Sequence, residues 1–398
     1  VTDQPTTASI NRILRGKVPT FIAQRSARHM HRLPEVFDAL IGEHGKKLGV
    51  GTAMKMWGNT ETAIDSYFSS VDTVPLRIAD PVLFRHPLSI WEGMETTSLV
   101  RKDPTFAFYN ALPNAVDPAW IHDVIHAQYR VGATVALSAT GWVGTTNAAA
   151  ALDQAMLIVQ ESRTVVGDGA MFVNLTMDKE WLINRELRNL LLREIVESNE
   201  QHWYLRFWWP ESANSYGQLA DPDILRGYRT LATTAAVEDK KLFLANSSLT
   251  GWLMGAFGAT GFSTGASATD QTFARVRRMG RRPGQTPPKE IARIFDRFLL
   301  HTMDATVFDR LRALPGHRDF RTRFLDEIDA DGHSKPVAGL HYLNAVGNLQ
   351  AKMRAADRAV VAHRAIDRGL RWVDGLAQVD KPAGANSPIH LPIWQTIR

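Results

Sequence analysis

The sequence predicts an α/β fold: a parallel (β/α) barrel over residues 21–270 followed by a helical C-terminal extension. An open doubly wound parallel sheet is the alternative. Three observations lead there. Apolar runs of strand length alternate with segments of helical periodicity along most of the chain. The strand runs are apolar throughout, the pattern of parallel strands covered on both faces. Polar residues follow each run, as expected where such strands open into loops.

Residues 1–20 form a polar N-terminal arm, without the basic-then-apolar order of a secretory signal. FIAQRSA (21–27) is a short strand with Gln24 and Arg25 at its end, and Pro34 to His44 is helical with Val36, Leu40 and Ile41 on one face. KLGVGTAMKMWG (47–58) reads as a strand ending near Lys55, and VPLRIAD as one stopped at Asp80 by Pro81. FAFYN (106–110) is a further strand candidate. Asp117 caps a helix that has Pro118 at its first position and Gly132 at its end.

ATVALSATGW (133–142) is a buried strand that leaves into a loop near Ser138 and Thr140, and AAAALDQAMLIVQESRT (148–164) is a helix. AMFVNLTMD (170–178) is a strand carrying Asn174, Thr176 and Asp178, followed by a helix over EWLINRELRNLLLREIVES. HWYLRFWWPES (202–212) is an aromatic strand closed by Pro210. Alternation sends Trp203, Leu205, Phe207 and Trp209 to one face and Tyr204, Arg206 and Trp208 to the other. Asp221 caps the next helix. KLFLANSS then reads as a strand ending at Asn246, Ser247 and Ser248, LTGWLMGAFG as a short helix, and ATGFSTG as a strand opening into a Gly-Ser-Thr-Gly loop. Seven strands are plain; an eighth is not.

Residues 271–289 are a basic Pro/Gly linker or loop, and 290–398 form a helical region that includes KEIARIFDRFLLHTM. From Gly265 to Leu300 there are eight basic residues (Arg275, Arg277, Arg278, Arg281, Arg282, Lys289, Arg293, Arg297) against three acids (Asp270, Glu290, Asp296). The formal charge of the whole chain is only +5, so the sequence has one basic segment and is otherwise near neutral. There is no cysteine, which excludes disulfides, thiolate metal sites and cysteine nucleophiles and fits a cytoplasmic location. No apolar run is long enough to span a membrane.

Over residues 20–270 the alternation resembles that of TIM-barrel enzymes, by architecture and without a family motif. The resemblance implies that active-site groups stand where strands end. It selects Asp80, Asp178 and Glu211 as candidate acid–base carboxylates, Asp80 foremost because it ends an apolar strand. Arg206, Trp208, Asn174, Asn246, Ser247 and Ser248 are candidate substrate contacts. The GATGFSTG stretch, with Gly261, Ser263, Thr264 and Gly265, is a candidate anion site. Its glycine spacing is neither a dinucleotide fingerprint nor a P-loop, and no cofactor is named by any motif. A Schiff-base lysine would have to be Lys55.

The close histidines His122 and His126 fall on an outer helix, and DEIDADGH (326–333) lacks the closing glutamate of a calcium loop. No metal site is expected. The expectation is therefore an enzyme acting on a small anionic substrate, phosphorylated or carboxylated, by lyase, isomerase or transferase chemistry. Two alternatives stand beside it. One is a base-modifying enzyme directed to nucleic acid through residues 275–297, as in barrels of the tRNA-guanine transglycosylase kind, whose cysteine zinc site this chain lacks. The other is a non-catalytic homo-oligomer or partner-binding protein.

Overall fold

The computed structural model describes residues 7–25, 31–85, 106–110, 112–113, 115–209, 218–273, 292–318, 321–354 and 357–397. In chain order the first half contains α1 (Thr7–Leu14), β1 (Thr20–Arg25), α2 (Leu33–His44), β2 (Gly49–Lys55), α3 (Glu61–Ser70), β3 (Leu76–Asp80), α4 (Pro118–Arg130), β4 (Ala136–Leu137), β5 (Trp142–Val143), α5 (Ala148–Val166) and β6 (Met171–Asp178). Next come α6 (Glu180–Ile183), α7 (Arg185–Glu197), β7 (His202–Trp208), α8 (Pro222–Val237), β8 (Lys241–Leu244), α9 (Ser248–Met254), β9 (Gly261–Gly265) and α10 (Ala268–Gln271). The C-terminal part holds β10 (Arg293–Asp296), β11 (His301–Asp304), α11 (Ala305–Arg312), α12 (Arg323–Asp331), α13 (Lys335–Lys352), α14 (Arg358–Asp374) and α15 (His390–Thr396).

The strands neighbour one another in the order β3-β2-β1-β9-β8-β7-β6-β4, with β5 also paired to β6, and every pairing in this sheet is parallel. Counting β4 and β5 as one interrupted position, this is an eight-stranded parallel barrel, nearly closed, with helices between strands and a helical C-terminal region. The doubly wound alternative does not hold, because the two ends of the order meet. They meet through Thr134. Its N–H donates to Arg77 O at 2.9 Å, its Oγ1 accepts from Arg77 N–H at 2.9 Å, and the hydroxyl donates to Pro75 O at 2.8 Å.

The barrel has two cores. One lies between the strand ring and the helices, and includes Phe21, Val50, Val173, Trp203, Phe207 and Phe262. The other fills the lumen with Ile22, Ala53, Leu76, Ile78, Val135, Leu137, Phe172, Tyr204 and Phe243, and α1 stoppers its amino-terminal end with Ile10, Ile13 and Leu14. Two-residue periodicity explains the division, since successive side chains on a strand point to opposite faces. Glycine makes room for the aromatic lumen residues. A Cβ on Gly261 would stand 2.9 Å from Thr20 O and from the Phe243 ring, and one on Gly51 would stand 3.0 Å from Ile22 and Leu76.

Four expectations of local structure are corrected. FAFYN contains a 3₁₀ turn at Ala107–Tyr109, not a strand, and Phe106, Phe108 and Tyr109 pack into the outer core. EWLINRELRNLLLREIVES is two helices, because Asn184 turns out of helical geometry and its side chain caps α7. KEIARIFDRFLLHTM contains the antiparallel hairpin β10–β11 instead of a helix. Its apolar spacing suits either state, and Asp296 decides by accepting from the N–H groups of Phe298 and Leu299 at 2.7 and 2.9 Å, a side-chain turn that helix would exclude. The strand expected over ATGFSTG is present as β9, registered against β1 and β8, but it runs through Gly265, so Ser263 and Thr264 lie on the strand and not in a loop beyond it.

Helix α13 is buried on nearly all sides, packed against α2, β1, β9, α12 and β10. It occupies the place of the helix after the last barrel strand. Gly347 allows this approach, since a Cβ there would lie 2.5 Å from Leu40 Cδ1. No helix among the described residues is long and apolar enough to cross a membrane.

Candidate active site

One pleat toward the carboxyl end from the apolar lumen, the inward positions turn polar. Ile22 is followed inward by Gln24 on β1, Ile78 by Asp80 on β3, Phe172 by Asn174 and Thr176 on β6, Tyr204 by Arg206 on β7, and Gly261 by Ser263 on β9. Asn246, just beyond β8, joins them.

Arg206 is the centre of this layer and is 1% exposed. Its Nε donates to Asn246 Oδ1 at 3.0 Å, its Nη1 to Thr176 Oγ1 at 3.1 Å, and its Nη2 to Asp80 Oδ2. The guanidinium lies 4.7 Å from the Phe84 ring centre and 5.8 Å from those of Tyr204 and Phe273. Phe84 and Phe273 meet edge to face at 5.3 Å, so the cation is walled by aromatic faces as well as bonded in its plane. A guanidinium suits such a place because it is planar, weakly hydrated and always charged.

The bonds continue around the ring. Asn246 Nδ2 donates to Gln24 Oε1, and Gln24 Nε2 donates to Ser263 Oγ at 3.0 Å. The Tyr204 hydroxyl reaches Ser263 Oγ at 3.2 Å, and the Asn246 N–H reaches it at 2.8 Å. On the far side Asp80 Oδ1 accepts from Val82 N–H at 2.8 Å. Burial raises the Tyr204 hydroxyl above the usual phenol range, with Arg206 opposing the shift. Burial, with Asp80 adding to it, also holds Tyr109 well above that range, and its hydroxyl donates to Pro81 O at 2.6 Å.

Backbone strain gathers here. Val82 has φ 54° and Asn246 has φ 48°, both in the left-handed region, and they flank the Asp80–Arg206 pair. For a β-branched residue that conformation is an outlier, and such outliers collect where surrounding structure fixes a functional geometry. Lys55 at the end of β2 pairs with Asp270 at 3.1 Å on the rim.

The sequence-selected residues divide into groups. Asp80, Asn174, Arg206, Asn246 and Ser263 come together in the lumen's polar layer. Trp208 is half-buried at the end of β7, packed against the outer core and in register with Asp178. Asp178 accepts from Glu180 N–H at 3.0 Å in a side-chain turn at the entrance to α6. Three hydroxyls are spent outside the lumen. Ser247 donates to Leu244 O at 2.9 Å, whereas Ser248 and Thr264 each lie 2.9 Å from the Tyr342 hydroxyl of α13. Gly261 and Gly265 are sites of close approach: a Cβ on Gly265 would lie 2.3 Å from Asp270 Cβ.

Glu211 lies outside the described residues, as do Arg275, Arg277, Arg278, Arg281, Arg282 and Lys289 of the basic segment. Of the remaining two, Arg293 pairs with Asp304 at 2.7 Å, and Arg297 is buried, its guanidinium pulled down to about 10 by burial and by Arg368. Phe84, Phe273 and Val82 are the parts of the layer that sequence reading missed. Nothing local marks the two phenylalanines, since each reaches Arg206 from a segment beyond a strand end. Among the described residues, no group of three or more His, Asp or Glu side chains is placed to hold a metal ion. No protein-family model and no curated protein matches the chain.

Proposed function

We propose that the chain is a barrel enzyme acting on a small anionic substrate, carboxylated or phosphorylated, bound over the polar layer at the carboxyl end of the strands. The observation that carries this reading is Arg206. It is buried, yet three hydrogen bonds occupy three of the five N–H donors a guanidinium owns. The rest suit the paired oxygens of a carboxylate or phosphate. Asp80, held by Val82 and Arg206, is the carboxylate nearest that position and the candidate for proton transfer. The adjacent cation would stabilise negative charge that develops on the substrate. This division of labour serves lyase, isomerase and transferase chemistry alike.

Asp80→Asn is a poor test on its own, because either half of a buried pair leaves an uncompensated charge when the other is removed. A binding test is cleaner. Ligand-observed NMR with matched pairs, acetate against acetamide and methyl phosphate against methanol, should show saturable binding of the anions only. Arg206→Lys, which keeps the charge and loses the planar fork, should weaken it. Equal behaviour of anions and neutral partners in the native protein would refute the proposal.

A further inference from the structure

Among the described residues of the polar layer, Asn174 is the side chain whose hydrogen bonds do not close. Its backbone is fully used: the N–H donates to Ser138 Oγ at 2.9 Å and the carbonyl accepts from the Thr140 hydroxyl. The residue is 1% exposed, and its side-chain Oδ1 is buried without a partner among the described residues. Gln24, Asp80, Arg206, Asn246 and Ser263 all find partners within the layer. A buried amide oxygen left unpaired is costly, and native interiors keep few of them without a functional reason.

Position gives this orphan a meaning. Asn174 and Thr176 are inward neighbours on β6, paired in register with Tyr204 and Arg206 of β7. Thr176 holds Arg206 at the upper level, so Asn174 stands one pleat lower, about 7 Å down the strand. The lumen thus carries at one level a guanidinium with two N–H donors beyond its bonds to Asn246, Thr176 and Asp80, and at the next an acceptor without a partner among the described residues. A ligand spanning them needs anionic oxygens at one end and an O–H or N–H donor a few bonds away.

We infer that Asn174 is a specificity-determining residue, and that the substrate is a short hydroxy- or amino-acid-like anion whose donor group is received by Asn174 Oδ1. This rests on the anionic-substrate reading above and narrows it. Simple apolar carboxylates would leave the amide oxygen unpaired, and sites built to bond a polar group discriminate against analogues that lack it.

The test is a wild-type titration, by ligand-observed NMR, of propionate against lactate and alanine, and of ethyl phosphate against 2-hydroxyethyl phosphate. The donor-bearing member of at least one series should bind about ten-fold more tightly or better. That ratio should collapse to near unity in Asn174→Leu, and also in Asn174→Ala, with folding checked by circular dichroism. Where neither variant folds, the wild-type ratio alone decides. Equal affinity within both series would overturn the inference while leaving the anionic-substrate reading standing. A ratio that persists in a folded Asn174 variant would overturn it too, placing the donor elsewhere. Absence of binding by every anion would overturn both.

Discussion

The two halves of the barrel lumen are built by the same strands and obey opposite rules. The amino-terminal half is dry and aliphatic or aromatic, with Phe172 against Phe243 at 4.8 Å and α1 as its stopper. The carboxyl half is a ring of polar groups bonded mainly to one another around Arg206. The change takes one pleat, from Ile22 to Gln24, Ile78 to Asp80, Phe172 to Asn174 and Tyr204 to Arg206. An apolar layer tolerates small errors of position because dispersion is non-directional. A buried polar layer does not, because each unmet donor or acceptor carries a penalty. The lower half therefore supplies stability and the upper half supplies geometry.

That contrast can be broken most sharply at Arg206. Arg206→Met leaves Asp80 buried and unpaired, and should cost about 3–5 kcal/mol in urea unfolding. The double variant Asp80→Leu/Arg206→Met should recover most of the loss. A near-neutral Arg206→Met would mean that water already reaches the upper layer.

Acid comes next, and it should act away from that layer. Burial lowers His202, at the foot of β7, and His301, on β11, from 6.5 to about 4. The folded state thus binds fewer protons than the unfolded state between these values. Their contribution is intact above 6.5 and declines as pH falls toward 4. Urea midpoints at pH 7.5, 6 and 5 should decrease in that order, and His202→Gln should flatten the trend. A trend unchanged in both His202→Gln and His301→Gln would assign it to other groups.

At the junction of the first and last strand positions, Thr134→Val removes a hydroxyl that accepts from Arg77 and donates to Pro75. It should cost about 1–3 kcal/mol, read as a lower thermal midpoint. The smallest effect belongs to the dry half. Ile22→Val should cost only about 0.5–1.5 kcal/mol, with no change in anion binding.

Most of the architecture was legible because parallel strands leave a readable trace, an apolar run ending in polar residues. The caps of α4 and α8 were equally plain, since Asp117 and Asp221 each accept from two backbone N–H groups at the helix start. Legibility failed where a residue's reason lay far away in sequence. Gly261 and Gly265 look like loop residues, yet they are glycines because Thr20, Phe243 and Asp270 leave no space for a Cβ. The aromatic residues of FAFYN have high strand propensity, but packing against α4 decides their conformation: Trp120 Nε1 donates to Phe108 O at 2.9 Å.

The polar layer was half legible. Strand ends pointed to Asp80, Asn174, Arg206 and Asn246, while the bonds within the layer join positions up to 239 residues apart, as between Gln24 and Ser263. Spacing along a chain carries no trace of such a closure.

The seam at Thr134 has a dynamic consequence. Every other junction of the ring is a ladder of backbone bonds in register. Between β3 and β4 the connection rests on Thr134, with Arg77 Nε donating to Gly132 O at 3.1 Å beside it, and β4 is two residues long before the strand stops and resumes as β5. A hoop with one clasp opens at the clasp. In native-state hydrogen exchange, the amides of Arg77 and Thr134 should be released at lower free energy than those of β6 and β7, making this edge the first part of the barrel to unroll.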